Sequence, residues 1–139
     1  MTTTDAHTFT EQEFKDRTRR LALRIIHLVD SLPATRTADV IGRQLLRSGT
    51  SVGANYRAAC RAKSRADLIA KLGIVEEEAD ESLYWMELLI EAQIVPAARL
   101  ADLMAETNQI VAMTVASLKT LRGTTDTTPS SIQNRKSKI

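Results

Sequence analysis

The stretch "IGRQLLRSGTSVGANYRAACR", residues 41–61, decides the fold. Gly49-Thr50-Ser51-Val52-Gly53 within it matches G-x-S-x-G, the nucleophile elbow of serine hydrolases, where a strand turns sharply into a helix and exposes the serine hydroxyl. The glycines also weigh against a helix, since each costs about 1 kcal/mol relative to alanine. Periodicity settles the matter. Advancing about 100° per residue from Ile41 places Ile41, Leu45, Ser48, Val52, Asn55, Tyr56 and Ala59 within one arc of about 100°. Arg43, Arg47, Arg57 and Arg61 fall on the opposite side, and no alternating strand pattern separates the two sets. The segment is a helix, and Ser51 reads as a small packing residue. Both histidines, His7 and His27, precede Ser51, whereas a hydrolase orders serine, acid and histidine in that sequence. No catalytic residue is assigned.

Three further helices flank this one. Thr10 and Glu13 have the spacing of a capping box, and Phe14, Leu21, Ile25, Leu28 and Leu32 recur at helical intervals until Pro33 interrupts. Thr35 or Thr37 caps the next helix, over about residues 38–62. Ser64 followed by Asp67 opens the third, which runs to about Gln93 with a core stripe of Leu68, Leu72, Val75, Ala79, Ser82, Leu83, Met86 and Ile90. Pro96 suits a first helical turn. Leu100, Leu103, Ile110, Val111, Val115, Leu118 and Leu121 then mark the last helix, which Gly123 ends. Short connections make this an all-α, antiparallel up-down four-helix bundle in one domain, residues 11–122. Residues 1–10 read as a flexible N-terminus and 123–139 as a disordered polar tail.

Composition agrees. Aromatic residues make up 4% of the 139-residue chain and hydrophobic residues 43%, so an aliphatic core must carry the fold. The one cysteine, Cys60, excludes an intramolecular disulfide, and no Cys/His cluster has zinc spacing. There is no signal peptide pattern and no apolar run long enough to span a membrane, which places the chain in the cytoplasm as a soluble protein. No cofactor and no metal are implied; the Glu-x-x-His pairs of di-iron bundles are missing.

Charge is unevenly spread although the net is only +2. Residues 35–75 hold eight bases and two acids, a net of +6, while residues 76–106 hold nine acids and one base, a net of −8. Arg43, Arg47, Arg57, Arg61 and, with the helix continued in phase, Arg65 form the candidate nucleic-acid-binding stripe, because guanidinium groups suit bidentate phosphate contacts. Arg17, Arg19, Arg20 and Arg24 add basic surface on the first helix. Gly42, Gly49 and Gly53 align along one edge, where a second helix comes close; that helix belongs either to the same chain or to another subunit. With Tyr84, Trp85 and Leu88, which lie outside the third helix's core stripe beside Ile74 and Leu89, they form the candidate oligomer interface. Ser48, Asn55 and Glu78 are the candidate polar pin between helices two and three.

Residues 44–92 also carry a resemblance. Arg47-Ser48-Gly49-Thr50-Ser51 fits R-S-x-T-S, Asn55 follows, Ala62 to Asp67 fits A-x-S-x-x-D, and Glu78 to Trp85 fits E-A-x-E-[ST]-x-Y-W. This set resembles a family of small bacterial four-helix bundles that includes proteins encoded in intervening sequences of large-subunit ribosomal RNA genes. It is also similar to the accessory variability determinant of diversity-generating retroelements. The chain departs from the pattern at Ala58, where the family often has Glu, and at Glu77, where it often has Lys; both change surface charge. The resemblance implies a homopentamer with no known catalysis. For the retroelement branch it implies a basic assembly that binds RNA or DNA and a reverse transcriptase. The residues themselves leave two functions open: nucleic-acid binding through the arginine stripe, or a protein-interaction scaffold in which that stripe pairs with the acidic third helix of a neighbour.

Overall fold

A computed structural model describes residues 9–126 of the chain. Four helices follow one another: α1 (Glu11–Asp30), α2 (Arg36–Ala59), α3 (Arg65–Glu91) and α4 (Ala97–Asp126). Five-residue connections join each to the next, too short for anything but antiparallel neighbours. The contacts run accordingly. Gly42 lies by Val29 and Leu32, Gly49 by Ile25, and Gly53 by Thr18, while Arg65 at the start of α3 donates to the Leu121 carbonyl near the end of α4. The expected flexible ends fall mostly on residues 1–8 and 127–139, outside the described residues.

Local chemistry sets each boundary. Thr10 and Glu13 form the full capping box, with Glu13 N–H donating to Thr10 Oγ1 at 3.0 Å and Thr10 N–H donating to Glu13 Oε1 at 2.7 Å. Thr35 accepts from the Ala38 N–H and Ser64 from the Asp67 N–H. α1 stops at Asp30, before Pro33, with Ser31 as its C-cap. α2 stops at Ala59, so Arg61 sits in the following turn and Arg65 opens α3. α3 ends in a Schellman motif: Ile94 N–H donates to the Leu89 carbonyl and Gln93 N–H to the Ile90 carbonyl, both at 2.9 Å. Gln93 stands in the left-handed region at φ 59°, a position that favours glycine. Gly123 does not end α4, which continues to Asp126.

Apolar residues from all four helices form one core, with Phe14, Leu21, Ile25, Leu45, Val52, Val75, Met86, Leu89, Leu100 and Ile110 wholly enclosed. Leu89, outside the expected stripe, is fully buried, whereas Leu68 and Ile90 are half-buried. The offset arises where α3 packs on α2 and α4 at once and a single stripe cannot serve both. On α4 the buried row passes through Thr107 and Thr114, while Val111, Val115 and Leu121 lie at its margin. Threonine enters the core because its hydroxyl folds back: Thr107 donates to the Leu103 carbonyl, Thr114 to Ile110 and Thr18 to Phe14.

The glycine edge of α2 faces α1 of the same chain, which corrects its assignment to a subunit contact. A Cβ on Gly49 would overlap the Ile25 side chain, and one on Gly53 would stand 3.1 Å from Thr18 Oγ1. Gly73, on α3, meets nothing within 4 Å. The two sites therefore answer the same substitution oppositely. Gly49→Ala is expected to cost about 1–3 kcal/mol through overpacking, and Gly73→Ala to gain about 0.5–1 kcal/mol through helix propensity. Urea titration followed by circular dichroism reads both signs.

Candidate nucleic-acid interface and polar seam

α2 presents three faces. One, lined by Gly42, Gly49 and Gly53, packs on α1. The second meets α3 through Ser48. The third carries Arg43, Arg47 and Arg57, all exposed; Arg47 lies toward its α3 border and Arg57 toward its α1 border. The i, i+4 spacing of Arg43 with Arg47 keeps those two on one side of α2, and Arg61 follows Arg57 in the turn after the helix.

The arginines differ in what they touch. Arg43, with 78% of its side chain exposed, pairs with Asp39 one turn back at 3.0 Å. Arg47 reaches across to Glu81 of α3 at 3.2 Å. Arg57 and Arg61 are exposed and make no ion pair among the described residues. Arg65 leaves the stripe, because the turn between α2 and α3 breaks the helical phase; its guanidinium bonds to the Leu121 carbonyl. On α1, Arg17 is structural. It makes a bidentate pair with Glu106 of α4, at 2.9 and 2.7 Å, and also donates to Gln109. These bonds, chiefly the one to Glu106, hold the guanidinium above its ordinary range. Arg20 and Arg24 flank the same α1–α4 groove.

Between α2 and α3 the sequence motifs converge. Ser48 and Ser82, both fully buried, lie 2.9 Å apart. Ser82 also lies 2.9 Å from the Glu78 carbonyl, whereas the Leu45 carbonyl stands farther from Ser48, at 3.3 Å. Each hydroxyl has one proton, so the chain with the shorter bonds runs from Ser48 to Ser82 to the Glu78 carbonyl. Asn55 is only half-buried and donates to the Ser51 carbonyl of its own helix, so it does not join the pin. Ser82 replaces it as the partner of Ser48. Spacing places Ser82 on the inner face of α3, but only the register between the helices sets it opposite Ser48. Ser51 donates to the Arg47 carbonyl at 2.7 Å in mid-helix, without the strand-to-helix turn that a nucleophile elbow needs.

Glu81 organises the outer edge of this seam. Its Oε2 accepts from Arg47 and from the Trp85 indole, the latter at 3.0 Å. Trp85 is half-buried against the core, with Tyr84 edge-on to it at a centroid distance of 5.0 Å. Tyr84 is 52% exposed, Ile74 is exposed and Leu88 is half-buried. Glu78 Oε1 is buried and finds no hydrogen-bond partner among the described residues. Burial raises the Glu78 carboxyl above its ordinary value; Glu81 and Glu77 push the same way, and Arg47 opposes them.

A cleft of about 570 Å³ opens at one end of the bundle, walled by Phe9, Phe14, Tyr56, Cys60, Leu72 and Leu121. Burial raises both the Tyr56 phenol and the Cys60 thiol. The thiol is therefore held protonated and is not primed for attack. Among the described residues no group of His, Cys, Asp and Glu is arranged to hold a metal, and no helix is long and apolar enough to cross a membrane.

Arg47, Ser48, Glu81, Ser82 and Trp85 of the motifs thus meet in one α2–α3 seam, and the family described as 23S rRNA-intervening sequence protein matches residues 10–116, from the capping box through most of α4. The chain belongs to that family. Among solved structures, a protein of unknown function from the S23 ribosomal protein family of Bacteroides thetaiotaomicron is 38% identical. The match covers 76% of this chain and 98% of that one, with a TM-score of 0.72. No curated protein matches. In this chain the motifs mark a buried serine pair and its charged border.

The seam is open to test at both its serines and its carboxyl. Ser48→Ala and Ser82→Ala are each expected to cost about 1 kcal/mol, and the double variant less than their sum, since removing both hydroxyls leaves no orphan. Chemical denaturation of the four proteins closes that cycle. For Glu78, a raised folded value means that the native state holds the proton more tightly than the unfolded chain. Stability therefore falls as pH rises from the ordinary carboxyl value of 4.5 through the raised one. Glu78→Gln is expected to raise the melting temperature at neutral pH, with the gain shrinking as pH falls below that window.

Proposed function

We propose that the chain is a non-enzymatic, self-associating four-helix bundle that binds nucleic acid, RNA foremost, through the arginine face of α2. The observation that carries this reading is that Arg57, near the end of α2, and Arg61, in the turn after it, are exposed and unpaired among the described residues. A guanidinium left without a carboxylate is available to phosphate, and bonds of this kind confer affinity without reading sequence. Self-association draws on Ile74, Tyr84 and Leu88, apolar side chains beside the Glu81 border of α3. The resemblance to pentameric retroelement accessory proteins suggests a homopentamer and adds a reverse transcriptase to the partners worth testing.

A second reading rests on the Arg47–Glu81 pair. The basic face of α2 and the acidic face of α3 are already complementary within one chain, and the same match between copies would make a scaffold with no nucleic-acid role. One variant separates the two. Arg43→Ala/Arg47→Ala/Arg57→Ala/Arg61→Ala is titrated with a labelled single-stranded RNA between about 50 and 200 mM salt. Under the nucleic-acid reading, the slope of log K against log salt flattens by about 0.7 for each phosphate that no longer meets an arginine, while light scattering shows an unchanged mass. An unchanged slope overturns that reading, and a dissociated assembly supports the scaffold.

A further inference from the structure

The α1–α2 packing builds a second feature beside the arginine face. Where α1 crosses the C-terminal half of α2, a shallow groove of about 210 Å³ runs between the two helices. Its floor is made of the smallest side chains available, Ala22, Gly53 and Ala54. Its edges carry Arg19 from α1 and Arg57 from α2, with Lys15 at one end. Arg61 follows in the turn after α2. Arg19 and Arg57 are exposed and without an ion pair among the described residues, whereas Lys15 is held by Glu11 at 3.0 Å. The hydroxyls lining the groove point inward: Thr18 donates to the Phe14 carbonyl and Thr50 to the Leu46 carbonyl. The side-chain donors that the groove offers a ligand are therefore the cations on its rim.

We infer that this groove, flanked by Arg19 and Arg57, is the track that seats the phosphodiester backbone of a single nucleic-acid strand. The inference rests on the nucleic-acid reading above and relocates its centre. Arg43 and Arg47 are already engaged by Asp39 and Glu81, so the half of the stripe nearer the end of α2 carries the binding, joined by a residue of α1 that the stripe does not contain. The small floor lets a backbone lie close between two guanidinium groups. A single free phosphate gains little there, because no buried donor surrounds it; a polymer meets several cations along the groove, each releasing counterions. The glycine that lets α1 and α2 approach, Gly53, also shapes the floor.

The experiment is fluorescence anisotropy of the full chain with a labelled oligouridylate, each variant first shown to be folded by circular dichroism. Arg19→Ala/Arg57→Ala is expected to weaken binding about tenfold or more and to flatten the salt slope by about 1.4, the value for two phosphates of a single strand. Arg43→Ala/Arg47→Ala is expected to stay within about twofold of the parent. Ala54→Phe fills the groove without altering charge, at an exposed position, and is expected to weaken binding several-fold. The groove is overturned where Ala54→Phe binds like the parent, or where the Arg43/Arg47 pair costs as much as the Arg19/Arg57 pair. In either case the arginine-face reading survives, provided that the fourfold variant still loses binding. Inorganic phosphate, added against chloride at equal ionic strength, is expected to compete no better than chloride. Selective displacement by phosphate would make this a small-anion site and overturn the polymer assignment.

Discussion

The close approach of α1 to α2 across Gly42, Gly49 and Gly53 is the constraint on which the remaining geometry depends. With no Cβ on that edge, Ile25 and Thr18 sit directly against the α2 backbone. Fixing one face of α2 fixes the other two, because side-chain directions around a helix are rigidly related. Ser48 is thereby turned toward α3 and the arginines toward solvent. The core inherits the same order. α3 must face Ser82 toward Ser48 and still bury Leu72, Leu83 and Leu89, so it packs apolar residues over a wider arc than a single seam would need. The helix propensity forfeited at three glycines is offset by dispersion contacts with α1, which a bulkier edge would hold at a distance.

Much of this was legible in the residues. Capping at Thr10, Thr35 and Ser64, breaks at Pro33 and Pro96, and the apolar arc of α2 specify the elements and their order through local chemistry alone. What escaped did so for tertiary reasons. Whether the glycine edge meets the same chain or another cannot be read from spacing, since both require the same small residues. Asn55 and Ser48 share an arc, yet only Ser48 has a partner across the seam, because the register between α2 and α3 sets it against Ser82 and leaves Asn55 to its own helix. Thr107 and Thr114 look polar by type and are buried because each satisfies its hydroxyl within its own turn. The arginine stripe was visible as a face, but its division into paired and unpaired halves depends on Glu81, which lies 34 residues beyond Arg47.

The family signature is accounted for by the same geometry. Ser48 and Ser82 lie at the centre of the α2–α3 contact and Arg47, Glu81 and Trp85 at the rim, where Glu81 joins Arg47 to Trp85. A motif of this kind specifies how two helices lock in register. The charge of the outer faces lies outside that lock, and the fold itself consumes part of it, at Arg47 and at Arg17.

Arg17 shows what that consumption does. Its pair with Glu106 joins α1 to α4, the two ends of the helical order, with only 24% and 25% of the two side chains exposed. Mobile ions reach such a pair poorly, whereas they surround Arg57 and Arg61 freely. The chain thus holds two populations of arginine that ionic strength addresses separately. Salt that screens the arginines of the outer face leaves the clasp between first and last helix closed, so the surface charge can be silenced without loosening the frame.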